Sequence, residues 1–414
     1  MTTMRDLDRL VLKRIKKACL FLFLCLTFCA CTGQGQLDDG NREQTVTLEQ
    51  QETEMKKGNE GAKNAPLSFA EMKWEEGLAL SHANQFFVEK FEDYYLITIV
   101  ASDRFLLIPE GKTIPEEIPE DVIILQKPIK RAYLASSSVF DLIRQADALD
   151  HLRFSGTKKE DLCILPVAEK MDEGKILFAG KYSKPDFELL LQEGCDLAIE
   201  NTMIYHNPET KEKLESLGIP VLVETSSYEE HPFGRMEWIK LYGLLFDHPE
   251  EAETFFDAQI QQLEPVLQQD KTGLKVAFFY VNSNGVINVR KPNDYVAKMV
   301  SLAGGIYVPE LVDLQEENAL STMNMQMEDF YLAAKDADIL IYNGTIMGEL
   351  EAVRDLVEIN PVFADFKAVK EQRVYCTCKN FFQETTAIGN FVEDLGKALR
   401  DSKETEFYQL KKLR

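Results

Sequence analysis

Six short stretches concentrate the side chains able to recognise a ligand: "SSS" (136–138), "NTMIYH" (201–206), "TSSYEEHPFGR" (225–235), "YVNSNGVINVRKP" (280–292), "NGTIMG" (343–348) and "KNFFQET" (379–385). They mix aromatic, methionine and amide side chains with the cations Arg235, Arg290 and Lys291. Flat rings and soft methionines supply apolar contact, and a guanidinium or ammonium pairs with carboxylate or phosphate. Such a mix suits a bulky organic ligand bearing a few polar or anionic groups. The candidate contacts are Ser137, Met203, Tyr205, Tyr228, His231, Arg235, Arg290, Lys291, Asn343, Phe381 and Gln383, with Phe382 beside them. Arg235 serves equally well as a partner of Glu237 or another acid at a helix entrance.

The same residues offer little for covalent chemistry. The chain carries no Walker motif, no G-x-S-x-G and no zinc-protease helix. The triple serine with a distant His and Asp is too generic for a triad, and Glu229–Glu230 read as a solvated loop pair. We expect no enzyme, no catalytic residue and no resident cofactor. Of the five histidines, His151 and His248 fall at helix ends away from these loops, while His206 and His231 lie within them, where a neutral imidazole could ligate a metal carried by a ligand from one side. No dedicated metal site is expected. Met323, Met325 and Met327 alternate before a helix and read as packing. Cys376 and Cys378 stand two apart along a strand, a spacing at which a mutual disulfide would be strained.

Loops of this kind need a scaffold, and the hydrophobic pattern supplies one. Residues 66–126 read as short strands separated by Pro/Gly-rich turns, a small β-rich extension. From 127 strand and helix alternate: strands at 131–136, 176–180, 196–201 and 219–225, helices at 139–152, 184–194 and 207–218. This pattern makes a parallel sheet with helices on its faces. Residues 234–270 then hold no strand; apolar positions recur at helical spacing, with Asp247–His248–Pro249 permitting a kink or break. Alternation resumes over 271–402, with strands at 274–281, 338–343 and 373–378 and helices at 293–305, 327–337, 348–358 and 387–401. Residues 403–414 read as a tail. "DLAIENTM" (196–203) and "DILIYNGT" (338–345) sit at matching places in the two alternating regions, each after a helix, which favours a duplicated unit.

The N-terminus differs from the body. Six basic residues precede the uncharged run "ACLFLFLCLTFCAC" (18–31), too short to span a bilayer comfortably and in the form of an export signal. Small Ala30 before Cys31 suggests a bacterial lipoprotein signal over 1–31, with Cys31 lipidated. Residues 32–65 contain no aromatic and few apolar residues, the composition of a flexible tether. The formal net charge of −23 argues against nucleic acid or bare anionic lipid as partners.

Signal, tether, βα lobe, helical divider and βα lobe together resemble the substrate-binding lipoproteins of ABC importers. More narrowly, they resemble the class III periplasmic binding proteins that take ferric siderophores, haem or cobalamin and join their lobes through a long helix. The resemblance covers about 127–400 and rests on "PDFELLLQEGCDLAIEN", "HPFGRMEWIKLYGLLFDHPEEAETFF", "MVSLAGGIYV", "ALSTMNMQMEDFYLAAKDADILIYNG" and "FADFKAVKEQRVY". It implies an α/β fold of two lobes, an N-terminal one over 127–233 and a C-terminal one over 271–402. The lobes are joined by a long helix over 234–270, with the ligand cleft between them. It also implies a monomer held at the outer face of the bacterial cell membrane by its lipid, which would serve a permease dimer driven by a cytoplasmic ATPase. In that family each lobe offers one surface glutamate to an arginine pocket of the permease; the matching positions are Glu188 and Glu328, with Asp329 and Glu351 as neighbours. The alternative is a lipid-anchored sensor or corrinoid- or haem-handling surface protein that needs the cleft but not the docking pair.

Overall fold

The computed structural model describes residues 67–310, 321–402 and 406–414; the leader, Cys31 and the tether lie outside them. None of the described helices is long and apolar enough to cross a membrane.

Strands β1 (Glu75–Glu76), β2 (Phe86–Phe91), β3 (Tyr94–Ile99), β4 (Arg104–Ile108) and β5 (Val122–Gln126) form one sheet in chain order. Only β4 and β5 run parallel. Side chains alternate between faces along a strand, and here both faces are covered. Phe86, Val88, Ile97, Phe105 and Leu107 join the main core. Tyr94, Leu96, Leu106 and Ile108 pack under Phe69, Met72 and Trp74.

The N-terminal lobe contains β6 (Ala132–Leu134), helix α1 (Val139–Gln145), β7 (Leu152–Ser155), α2 (Leu165–Asp172), β8 (Leu177–Phe178), α3 (Phe187–Gln192), β9 (Leu197–Asn201), α4 (Pro208–Ser216) and β10 (Val221–Glu224). All five strands are parallel, in the order β10-β9-β6-β7-β8. The helix expected over 139–152 therefore stops early. Asp147 takes a left-handed conformation at φ 56°, and the chain turns into β7.

The divider is two helices, α5 (Pro232–Leu245) and α6 (Pro249–Leu267). They separate at Asp247, where φ is 65°. Gly243 permits their close approach, since a Cβ there would lie 2.6 Å from the Ala252 side chain. Every residue of α5 is buried, so its polar members need internal partners. Glu237 accepts backbone N–H groups from Ser81 (2.9 Å), His82 (2.7 Å) and Ala83 (2.8 Å), plus the Lys240 ammonium at 3.1 Å. Glu229, read above as solvated, is buried and accepts from Asn84, Gln85 and the Trp238 indole. Burial pushes Glu229 upward despite these donors. For Glu237 burial acts the same way, but the three N–H groups and Lys240 outweigh it and hold the carboxyl low. Through these two carboxylates the β-rich extension is bound to the helix joining the lobes.

The C-terminal lobe contains β11 (Lys275–Val281), β12 (Ile287–Arg290), α7 (Tyr295–Leu302), β13 (Ile306–Val308), β14 (Thr322–Met325), α8 (Met327–Ala334), β15 (Ile339–Tyr342), α9 (Val353–Ile359), β16 (Val374–Thr377), α10 (Ile388–Leu399) and β17 (Leu410–Lys412). Its parallel core is β13-β11-β15-β16. Antiparallel β12 and β14 extend one side and β17 the other. Two expectations change here. Arg290 stands on a strand rather than in a loop, and part of the supposed tail is the edge strand β17. Met325 is buried in this lobe's core with Met323 and Met327 against it.

The two similar strings occupy equivalent places. β9 lies between β6 and β10, and β15 between β11 and β16. Asp196 accepts the Lys130 and Arg131 N–H groups at the entry to β6, and Asp338 accepts that of Lys275 at the entry to β11. Asn201 and Asn343 each accept the N–H two residues on, from Met203 and Thr345. Aspartate starts the central strand and asparagine caps the turn after it, once per lobe.

One residue of β9 is anomalous. Glu200 is fully buried, and neither carboxylate oxygen has a hydrogen-bond partner among the described residues. Burial raises its pKa well above the ordinary glutamate range. A raised folded pKa contributes stability that is present below the unfolded value and lost as pH rises through the folded one. Unfolding by urea at pH 5 and pH 8 should therefore show the native chain losing stability relative to Glu200→Gln. The variant should lead by about 1–3 kcal/mol at the higher pH. Parallel pH profiles would show that Glu200 is solvated or paired.

Candidate ligand-binding cleft and docking face

Parallel sheets place functional loops beyond the C-terminal ends of their strands. In the N-terminal lobe β6 ends at Ser136–Ser138, where the Ser136 hydroxyl donates to Glu224 at 2.7 Å and Ser137 stays half-buried at the rim. After β9 the Asn201-capped turn Thr202–His206 leaves Met203 46% and Tyr205 47% exposed. In the C-terminal lobe the Asn343-capped turn Gly344–Met347 leaves Ile346 52% and Met347 48% exposed. Tyr205 and Met347, each four residues beyond the capping asparagine, thus carry apolar surface out of both lobes. Tyr205 is also tied back to the extension, its hydroxyl donating to Ser102 at 3.2 Å.

Between α5, α7 and the 381–388 segment, Arg235, Tyr295, Phe381, Phe382 and Thr385 surround a cavity of about 10 Å³, room for one water. Within the C-terminal lobe a second cavity of about 100 Å³ is lined by Phe278, Tyr280, Asn288, Arg290, Thr322, Asn343, Ile346 and Phe382. It is smaller than a whole ligand site and matches one substituent of a ligand.

The cations are already engaged. Arg235 is buried 4.7 Å above the Tyr295 ring, and Glu237 pairs with Lys240 instead. Arg290 lies 4.7 Å over Phe382 and 5.5 Å over Tyr295, and donates to Asp294 at 3.4 Å and Ser321 at 3.1 Å. Burial raises the Asp294 carboxyl, while Arg290 and the Val296 N–H draw it back. Lys291 is buried and held by other groups of the protein.

Gln383 joins the lobes. Its amide accepts from the Cys163 N–H at 2.8 Å and donates to the Asp161 carbonyl at 2.7 Å. Beside it Thr385 donates to the Ser138 carbonyl, and Thr386 donates twice to buried Asp141. Sequence reading missed this seam, although a Gln-x-Thr-Thr run beside two aromatics was available as a signal.

His231 caps α5, accepting the Phe233 N–H at 3.2 Å, and stacks on His82 with centroids 4.7 Å apart. Burial, with His82 and Lys298 nearby, lowers its pKa to about 4, so the ring is neutral at pH 7. His151 and His248 meet edge-to-face at the α5–α6 break, and His206 is exposed at the end of its turn. Tyr228 is half-buried on the turn before α5. Among the described residues no group of three or more His, Cys, Asp or Glu side chains is arranged to hold a metal ion.

On the outer surface Glu188 and Glu328 are both exposed in the first turns of α3 and α8. Each helix leads into its lobe's aspartate-headed strand. No hydrogen bond or ion pair engages either carboxylate among the described residues, whereas Glu351 is paired with Lys411.

Known proteins share this architecture. An uncharacterized lipoprotein of Methanocaldococcus jannaschii is 23% identical over 303 residues, covering 70% of each chain. A periplasmic haem-binding protein of Vibrio cholerae superposes with a TM-score of 0.53 at 16% identity, covering 65% of this chain and 99% of its own. A periplasmic binding protein of Veillonella parvula superposes with a TM-score of 0.54 at 13% identity, covering 76% and 97%. The likeness to both solved structures is one of fold. The match to the periplasmic binding protein family model spans residues 155–380, from the end of β7 through both Asn-capped turns and past β16. With more than half of its length matched, the chain belongs to the periplasmic binding protein family.

Proposed function

We propose that the chain is the extracytoplasmic substrate-binding component of an ABC importer. It captures a metal chelate (a ferric siderophore, haem or a cobalamin) between its lobes and delivers it to the permease. The observation that carries this reading is the pair Glu188 and Glu328: exposed, unengaged among the described residues, and repeat-related across two lobes. A sensor would have no use for matched carboxylates on separate rigid elements. Substrate binding is the role of the family, and the haem-binding neighbour of Vibrio cholerae makes metal chelates the first class to test. The ligand would lie against the Met203/Tyr205 and Ile346/Met347 turns, with a substituent in the cavity beside Arg290. Calorimetric titration with haem, ferric hydroxamate, ferric catecholate and cobalamin should give saturable one-to-one binding for at least one. Silence towards all four would contradict the chelate reading.

Anchoring is part of the proposal, because related chains are named lipoproteins and Cys31 follows a signal-like run. Cys31→Ala should move the protein from the membrane fraction to the soluble one. Retention on the membrane would contradict a lipid at that residue.

A further inference from the structure

We infer that the cleft selects metal chelates with no net negative charge. This inference rests on the chelate-binding reading and names the ligand class within it. The geometry points that way from three sides.

First, the turns that reach out from the two lobes are apolar. Met203, Ile346 and Met347 are half exposed and carry no charge, and Tyr205 spends its hydroxyl on Ser102. A polyanion entering between them would shed water and gain no counter-charge.

Second, the cations that might receive an anion are spoken for. Among the described residues Arg290 is the one cation lining the C-terminal cavity, and Asp294 already faces its guanidinium, with Ser321 completing that side. The other polar groups lining that cavity, Tyr280, Asn288, Thr322 and Asn343, are neutral donors and acceptors. They suit amide, hydroxamate or hydroxyl oxygens. Arg235 is buried against Tyr295, and Lys291 is held within the protein. At the seam, Lys379 is exposed to solvent, and its backbone N–H donates to the Glu349 carboxylate at 2.6 Å, which sets an acid beside it.

Third, the field of the chain opposes anions. A formal charge of −23 raises the cost of bringing a polyanion to any site lacking local positive excess. Carboxylates on a ligand would have to displace Asp294 from Arg290, leaving that acid buried and unpaired.

The test is calorimetric titration of the full chain with two ferric complexes of similar size, a neutral trihydroxamate and a polyanionic tris-catecholate, and with haem, whose propionates are ionised at pH 7. The neutral complex should bind about a hundredfold or more tighter than either anion. Asp294→Asn provides a second arm. Asparagine keeps the cap on α7, where Asp294 accepts the Val296 N–H, but removes the charge opposing Arg290. The preference for the neutral complex should then shrink about tenfold or more, provided thermal unfolding shows the variant folded. If it is not folded, the comparison on the native chain decides alone. Binding of haem or the tris-catecholate as tight as that of the trihydroxamate overturns the charge selection and leaves the chelate reading standing. Failure of all three, and of cobalamin, overturns both.

Discussion

Reversing both proposed docking carboxylates, Glu188→Lys with Glu328→Lys, should reduce uptake to background while the purified protein keeps its ligand affinity within about twofold. The expected size follows from the chemistry of the contact. A carboxylate meeting a guanidinium makes short, charge-assisted hydrogen bonds, and replacing it with an ammonium converts attraction into repulsion. Each such reversal costs about 2–5 kcal/mol at an interface, so the pair suffices to abolish productive docking. Both residues are exposed in first helical turns, and among the described residues neither carboxylate has a hydrogen-bond or ion-pair partner that the lysines would break. Uptake of labelled chelate and calorimetry on the same variant separate the two effects. Loss of ligand affinity would place these residues in the cleft, and undiminished uptake would remove them from docking.

The second large effect concerns the extension. Glu237→Ala should destabilise the protein by about 3–5 kcal/mol, because the buried Lys240 ammonium loses its counter-ion and the N–H groups of Ser81, His82 and Ala83 lose their acceptor. Glu237→Gln, which keeps an acceptor but not the charge, should cost less. Urea unfolding gives the magnitudes, and limited proteolysis within 67–126 should report release of the strands from α5. A Glu237→Ala variant within about 1 kcal/mol of the native chain would mean that the extension is held by its apolar face alone.

The residues that made the fold legible are those whose partners are local or periodic. The strand starting "LAI" and its counterpart "ILIY" announce themselves by apolar runs between an aspartate and an asparagine, as buried parallel strands do, with Glu200 the one charged residue in either. Glu229 and Glu237 were illegible for the opposite reason. They look like charges on a loop and a helix, and their partners are backbone N–H groups 144–156 positions earlier. No side chain in residues 81–85 advertises that role. Strand β12 left a signal that went unused. The Asn284–Gly285 pair, with Gly285 at φ 77°, marks a tight connection between β11 and β12. Reading it would have put Arg290 on a strand, on the same face as Asn288, rather than in a loop. The α5–α6 break lay within the permitted interruption at 247–249, but burial of the whole of α5 depends on the extension, whose packing composition does not reveal.

For the site, the loops after both aspartate-led strands were legible, because position relative to strand ends is set by topology; Glu188 and Glu328 came from the family resemblance, and both prove exposed in first helical turns. It did not show which side chains are consumed internally. Gln383 and Tyr205 look free in sequence, yet one bridges the lobes and the other is bonded to the extension. Arg290 looks like an anion receptor until Asp294, four residues on, is seen to face it. These are pairings fixed by three-dimensional proximity at the ends of strands, where residue type alone leaves several outcomes open.

Capture followed by delivery is the central claim, and one measurement addresses it directly. The protein, loaded with a metal-labelled chelate and freed of excess, is added to liposomes carrying the cognate permease and ATPase. The account predicts that label leaves the protein and accumulates inside the vesicles only when ATP is present. Label that stays on the protein, with ATP hydrolysis unchanged by its addition, would contradict the account and favour a surface protein that holds its ligand without passing it on.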